Sequence, residues 1–281
     1  MSDDALVIVR GGGDLGTGVA HRLARAGYRV LVLETERPLV VRRAAAFAEA
    51  VFEGRTNVEG VPAVRVDLDA LAAARSDERG GDAGWPRWVP VIIDPDGAAI
   101  GRLAPDAIVD ARMRKLPPEA GAPDGVLSIG LGPGLSAGPD VDLVIETYRG
   151  NALGRVIERG EAAADTGVPG EILGRGAERV LRAPADGTFE SIRTIGDLVG
   201  EGETIGRVGA DAVSTRIAGL VRGLIADGTG VREGMKIGDI DPRGAAIDPA
   251  EISDKARAVG GGVLEALLSR RVLPGGRIYG V

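Results

Sequence analysis

Cysteine is absent from the chain. No disulfide, persulfide or thiol nucleophile can be built on it. Histidine occurs once, at His21. Carboxylates alone would have to hold a zinc ion, so no protein-bound metal is expected. A Ser-His-Asp triad would rest wholly on His21, which lies in a helical stretch and reads as a half-exposed helix position. Lysine is scarce as well, confined to Lys115, Lys236 and Lys255. The other basic side chains are arginines, which suit planar, two-pronged contacts to carboxylate or phosphate. No apolar run is long enough to span a bilayer. Asp3 and Asp4 precede the first apolar run, which does not fit a secretory leader. The expectation is a cytoplasmic protein without a membrane partner. The net charge is −7 and the arginines are scattered, which argues against nucleic acid. The 281 residues leave room for about two domains, and core area is not limiting at that size.

What the chain does have, beside abundant arginine, is a glycine-rich turn in a telling place. Leu6-Val7-Ile8-Val9 reads as a buried strand, and Val19 to Arg25 reads as a helix. Between them stands Gly11-Gly12-Gly13-Asp14-Leu15-Gly16. Gly11 permits a tight turn, Gly13 lets a phosphate approach the backbone, and Gly16 lets the helix pack on the strand. The helix start offers unpaired N–H groups and the positive end of its dipole. A second strand, Tyr28 to Leu33, ends in Glu34, where an acid accepts a ribose hydroxyl in nucleotide-binding turns. The competing reading is a turn whose glycines serve only close strand-to-helix packing. Leu39 to Phe52 reads as a helix with Arg42 and Arg43 near its start.

More short apolar runs follow, each ending in polar or glycine-rich residues. They lead to Asp94, to Asp110 with Arg112 and Lys115, to the loop of Gly130, Gly132 and Gly134, and to Glu146 through Asn151. Continuous apolar runs suit parallel strands covered on both faces. The expected fold class is α/β, with a Rossmann-like parallel sheet in residues 1–160. Ligands of such sheets bind outside the carboxyl ends of the strands. That rule gathers Gly11, Gly12, Gly13, Asp14, Leu15, Gly16, Glu34, Asp110, Arg112, Lys115, Gly130, Gly132 and Gly134 into one candidate nucleotide site. Gly150 to Glu158 reads as a helix, and residues 161–178 as a linker.

The second half carries a repeat. Gly187 to Val208 matches Gly219 to Ile240 in phase, with Gly196 on Gly228, Gly202 on Gly234 and Gly206 on Gly238. Each copy reads as strand, turn, strand. The entrance Ala183-Pro184-Ala185-Asp186-Gly187 resembles biotinyl and lipoyl carrier domains, which implies a small β barrel-sandwich hybrid over residues 179–243. The hairpin between the copies, near Gly209 to Ala212, has no lysine to carry a prosthetic group, so neither biotin nor lipoate is expected. Residues 244–281 read as a C-terminal helix and tail, expected on the first domain. Ser253 is its cap, and Gly260-Gly261-Gly262 suggests close backbone approach to another element.

Together the stretches Arg10 to His21, Pro38 to Val51, Asp110 to Lys115, Ile129 to Gly138, Val144 to Gly160, Thr166 to Gly170, Ile237 to Arg243 and Ser253 to Leu268 resemble a known family. It is that of the YqeB-type accessory proteins of selenium-dependent molybdenum hydroxylases, with a more distant likeness to XdhC/CoxI maturation factors in the N-terminal part. Asn151 stands where the family pattern has histidine, and Leu135 where it has an aromatic. The resemblance implies a maturation factor with an apo-molybdenum hydroxylase as partner, binding a molybdenum cofactor dinucleotide or a related nucleotide. The alternatives are an NAD(P)-dependent oxidoreductase and a nucleotide-sensing scaffold without chemistry. Whether a reaction is catalysed stays open at this level, and a homo-oligomer is compatible with each reading.

Overall fold

Strands made of continuous apolar residues must be covered on both faces, and the N-terminal half meets that demand with one broad sheet. The computed structural model describes residues 4–76, 85–116, 121–167 and 170–275. The chain divides into two compact units. The first comprises Met1–Pro38, Phe47–Asp165 and Ile252–Val281, and the second Leu39–Ala46 and Thr166–Glu251.

In the first unit the strands are β1 (Leu6–Arg10), β2 (Arg29–Glu34), β3 (Arg55–Val58), β4 (Val61–Arg65), β5 (Val89–Ile93), β6 (Ala107–Asp110), β7 (Leu127–Leu131), β8 (Ser136–Ala137), β9 (Leu143–Ile145), β10 (Val156–Ile157) and β11 (Gly160–Glu161). Nine of them form one sheet in the order β10-β9-β7-β6-β1-β2-β5-β4-β3, while β8 pairs with β11. Side chains alternate between the faces of a strand. Val7 and Val9 accordingly enter one buried cluster with Val19, Leu23, Val259 and Val263. Leu6 and Ile8 enter another with Leu31, Trp85 and Leu103. The first cluster is closed by α1 (Asp14–Arg25) and α5 (Asp254–Ser269), and shorter helices are α2 (Ala50–Glu53), α3 (Leu68–Ser76) and α4 (Ala98–Leu103). No described helix is long and apolar enough to cross a membrane.

The second unit contains β12 (Val180–Arg182), β13 (Gly187–Ser191), β14 (Leu198–Val199), β15 (Thr204–Val208), β16 (Asp211–Ser214), β17 (Gly219–Leu224), β18 (Thr229–Val231) and β19 (Lys236–Asp241). The repeat places β17, β18 and β19 in phase with β13, β14 and β15. The copies exchange their middle strands, since β14 pairs with β17 of the second copy and β18 with β13 of the first. Phe189, Ile205, Val221, Leu224, Ile237 and Ile240 fill the core.

The expected fold class needs correction. The large sheet is mixed rather than parallel, because β3 runs antiparallel to β4 and β10 antiparallel to β9 at its two edges. A hairpin turning at Glu59 and Gly60, both at positive φ, stands where a crossover helix would be needed for parallel strands. In the second unit two four-stranded antiparallel sheets, β12-β19-β17-β14 and β16-β15-β13-β18, take the place of the expected barrel-sandwich hybrid. β12 and β16, which lie outside the repeat, extend one sheet each.

Two expected helices are also absent. Residues 39–52 form 3-10 turns at Arg43–Ala45 and Phe47–Glu49 before α2. Their polar groups find tertiary partners instead of helical ones. Phe47 N–H donates to Thr17 Oγ1 at 2.8 Å, and Ala48 N–H to the Gly12 carbonyl at 3.0 Å. Arg42 and Arg43 donate to the carbonyls of Glu251 and Leu224. Residues 150–158 are a turn into β10, closed by Gly154 N–H on the Glu146 carbonyl at 2.9 Å.

The glycine triplet in α5 does not interrupt the helix. A Cβ on Gly260 would lie 2.7 Å from the Gly18 carbonyl oxygen, and one on Gly262 would lie 2.1 Å from that of Gly154. These two glycines bring the helix against its neighbours. Ser253 caps α5, its hydroxyl accepting from Ala256 N–H at 3.1 Å.

Candidate functional site

The register sets the ends of β2, β1, β6 and β7 side by side. Arg10 pairs with Leu33 and with Asp110, and Asp110 with Gly130. Glu34, the Gly11 loop, Asp110 and the Gly130 loop therefore share one sheet edge, where ligands of such sheets collect. The structure brings the sequence-selected residues together. It also shows that most of their polar groups are already engaged.

Gly11 adopts φ +98°, which favours glycine, and its N–H donates to the Leu33 carbonyl. Gly12 N–H donates to Glu34 Oε1 at 2.7 Å. Glu34 Oε2 accepts from Thr35 N–H at 3.0 Å, and the side chain is 9% exposed. Burial pushes its pKa above the ordinary carboxylate value, against the pull of those two N–H groups. Glu34 thus braces the loop with the carboxylate that a ribose would otherwise use. The Gly12 carbonyl accepts from the Thr17 hydroxyl at 2.8 Å. Gly16 sits so close to Gly11 that an added Cβ would be 1.9 Å from the Gly11 oxygen. Gly13 differs: with φ −70° and ψ −169° its backbone is extended and open to any residue.

Along the same edge, Asp110 grips Arg112 through Nε at 3.0 Å and a terminal nitrogen at 2.5 Å. Lys115 forms an ion pair with Asp165. In the second glycine loop, a Cβ on Gly130 would meet Leu135 Cδ1 at 2.4 Å, and one on Gly134 would meet the Lys115 backbone at 2.4 Å. Leu135 is buried, so an aliphatic side chain there serves packing. The space among Asp110, Lys115, Leu131 and Pro133 is only about 10 Å³, no more than one water requires. This loop is a packed joint. Met113 and Lys115 beside it hold positive φ, at 55° and 60°, a strain that surrounding contacts must maintain. A cavity of about 220 Å³ opens next to the ends of β1 and β6, lined by Arg10, Asp96, Ile100, Asp110, Ser128 and Asp140.

One cation was missed by the motifs. Lys255, in the first turn of α5, is half-buried. Among the described residues its amine makes no hydrogen bond and no ion pair. Burial lowers its pKa below the ordinary 10.5, and Arg149 adds to that, while Asp14, Asp165 and Glu146 oppose it. The amine is thus electrostatically coupled to Asp14, the first residue of α1. Ser253, two residues before it, donates weakly to Asp14 Oδ2 at 3.4 Å. Arg149 is held by Asp254. The scarcity of lysine was the available signal: a lysine kept where arginine is the rule marks a point charge rather than a fork.

No family model matches the chain. Across 267 residues, 95% of its length, it is 47% identical to a protein of Escherichia coli K12 described as uncharacterized protein YqeB. Over that length the sequence is similar to YqeB. The chain spans 48% of the length of that relative. Solved structures similar to this chain include a succinylglutamate desuccinylase/aspartoacylase from Rhodobacter sphaeroides and an aspartoacylase family protein from Mesorhizobium loti. They are 16% and 13% identical, each match covering 85% of both chains at a TM-score of 0.26. Overlap at that level carries neither fold nor activity to this chain.

Proposed function

We propose that the first unit binds the phosphate of a nucleotide beside the start of α1. We further propose that the protein acts as an accessory factor for a selenium-dependent molybdenum hydroxylase. The observation that carries the binding half is Lys255, a half-buried amine with no hydrogen bond or ion pair among the described residues, coupled to the residue that opens α1. A helix start already favours an anion, and Gly13 stands at that start with an extended backbone. The accessory role rests on the resemblance to YqeB-type proteins and extends to a partner apo-hydroxylase. With no cysteine on this chain, sulfur or selenium would be delivered by another protein.

The ligand favoured by this reading is a molybdenum cofactor dinucleotide. Mass spectrometry of small molecules released on heat denaturation identifies it directly. A pterin-cytosine dinucleotide or its fragments is the expected result, whereas NAD or NADP would replace the maturation reading with an oxidoreductase. Lys255 also gives that second reading its candidate proton donor, because burial lowers its pKa below the ordinary lysine value.

Calorimetric titration tests the site itself. Gly13→Val should fold normally and abolish binding, because its branched side chain occupies the path of the phosphate. Lys255→Met should weaken binding roughly tenfold, the loss expected for one charge-assisted contact. Lys255 keeps its charge only below its lowered folded pKa. Affinity should therefore fall as pH rises through that value in the wild type and stay level in Lys255→Met. Unchanged affinity in both variants refutes the site.

A further inference from the structure

The later turns of α1 line a pocket that the nucleotide reading does not use. It holds about 370 Å³ and is bounded by Gly18, His21, Arg22, Arg25, Glu59, Ile252 and Arg257. His21 and Arg25 are four residues apart, so they share a face of α1. Gly18 lies one turn earlier on that face. A Cβ there would strike the Ala256 side chain at 2.7 Å, so its absence lets α5 close in and carries Arg257 to the rim. The turn between β3 and β4 supplies the third wall.

The charges do not balance. Glu59 Oε1 accepts from Arg257 at 2.5 Å and from Ile252 N–H at 2.8 Å. Burial raises the pKa of Glu59, but these hydrogen bonds outweigh it and hold the carboxyl below its ordinary value, so Glu59 is ionised and satisfied. Among the described residues the Arg22 guanidinium hydrogen-bonds the Arg257 carbonyl, at 3.5 Å. Among the described residues neither Arg22 nor Arg25 makes an ion pair. Three guanidinium groups therefore face one carboxylate, on a chain whose net charge is −7. Cations in a last turn also complement the helix dipole. That accounts for Arg22 and Arg25 as charges, but not for Arg257 from another helix or for the cavity between them.

We infer that this pocket is a second anion site, built for a compact dianion such as a phosphate monoester or inorganic phosphate. The surplus of two positive charges matches the dianion, and guanidinium groups on two helices can grip its oxygens in pairs. The site uses His21 to Arg25 rather than the start of α1. By helix geometry that is about 10 Å further along, so it stands or falls separately from the nucleotide site.

The only histidine of the chain makes the test direct. His21 Nε2 lies 3.5 Å from the Glu59 carbonyl. Burial lowers its pKa, the Glu59 carbonyl and carboxylate raise it, and Arg25 and Arg257 lower it further. A bound dianion would shift the balance upward. The imidazole proton resonance should be followed by NMR against pH, in potassium phosphate and in potassium chloride of equal ionic strength. The expected result is a saturable upward displacement of the His21 midpoint in phosphate alone. Arg25→Ala and Arg22→Ala, both surface changes, should each weaken the phosphate dependence about tenfold. Glycerol 3-phosphate acting at lower concentration than inorganic phosphate would identify an ester as the ligand, and equal action would identify free phosphate. Superimposable titrations in phosphate and chloride, or a phosphate effect that survives the Arg22→Ala/Arg25→Ala double change, overturn the inference.

Discussion

Gly16→Ala is expected to abolish the folded first unit. The added Cβ would stand 1.9 Å from the Gly11 carbonyl oxygen, 3.0 Å from its carbon and 3.1 Å from the Ala111 side chain. The nearest of these is backbone and cannot rotate away. Gly11 is fixed in turn by its N–H on Leu33 and its φ of +98°. Relief requires α1 to lift from β1, which would open the cluster containing Val7, Val9, Val19 and Leu23. Ordinary overpacking costs about 1–3 kcal/mol. This clash lies beyond that range, and typical domains have only about 5–15 kcal/mol in hand. Both tryptophans, Trp85 and Trp88, belong to the first unit, so fluorescence during urea titration reports it. Gly261→Ala is the matched control. Nothing lies within 4 Å of a Cβ there, and the change should stabilise α5 by up to about 1 kcal/mol. A Gly16→Ala protein with the wild-type midpoint would show that the turn has slack the structure does not reveal.

Arg179→Met should destabilise the second unit by about 3–5 kcal/mol, the usual cost of leaving a buried charge without its partner. Arg179 holds Asp239 with one terminal nitrogen, 2.9 and 3.1 Å from the two carboxylate oxygens, and the two side chains are 7% and 6% exposed. Arg222 is 3.9 Å from Asp239 and 3.7 Å from Asp241, too far to replace the lost contact without movement. Replacing both partners, in Arg179→Met/Asp239→Leu, should recover much of the loss, since apolar pairs of similar volume are tolerated where ion pairs are buried. Circular dichroism during chemical denaturation provides the comparison. Equal midpoints for the single variant and the wild type would mean that water reaches Asp239 freely.

Some of this architecture was legible because it is local. The Gly11 to Gly16 turn, the helix after it and the Ser253 cap follow from neighbouring residues, and the in-phase glycines of the repeat mark strands that do recur. The failures come from contacts between residues far apart in sequence. Helical patterning in residues 39–52 lost to tertiary acceptors at Thr17 and Gly12. The parallel sheet expected from apolar runs acquired antiparallel edges through short turns at Glu59 and Gly154. Glu34 was chosen for its place at the end of β2, but its carboxylate is committed to Gly12, which strand order alone cannot tell. Arg112 and Lys115 were placed in the nucleotide site, and each has an acid beside it. Lys255 escaped notice because its burial depends on a helix from the far end of the chain.

That distance has a consequence for synthesis. Ser253 and Asp14, which touch, are 239 residues apart. At typical ribosomal speeds of about 5–20 residues per second, the interval between α1 and α5 leaving the exit tunnel is roughly 10–50 s. Throughout it, the face of α1 that Ala256 and Gly260 will cover is bare, although its strands are already made. The nascent chain is therefore a natural client for holdase chaperones over that interval, and ribosome stalling before residue 254 strands it in a sticky form.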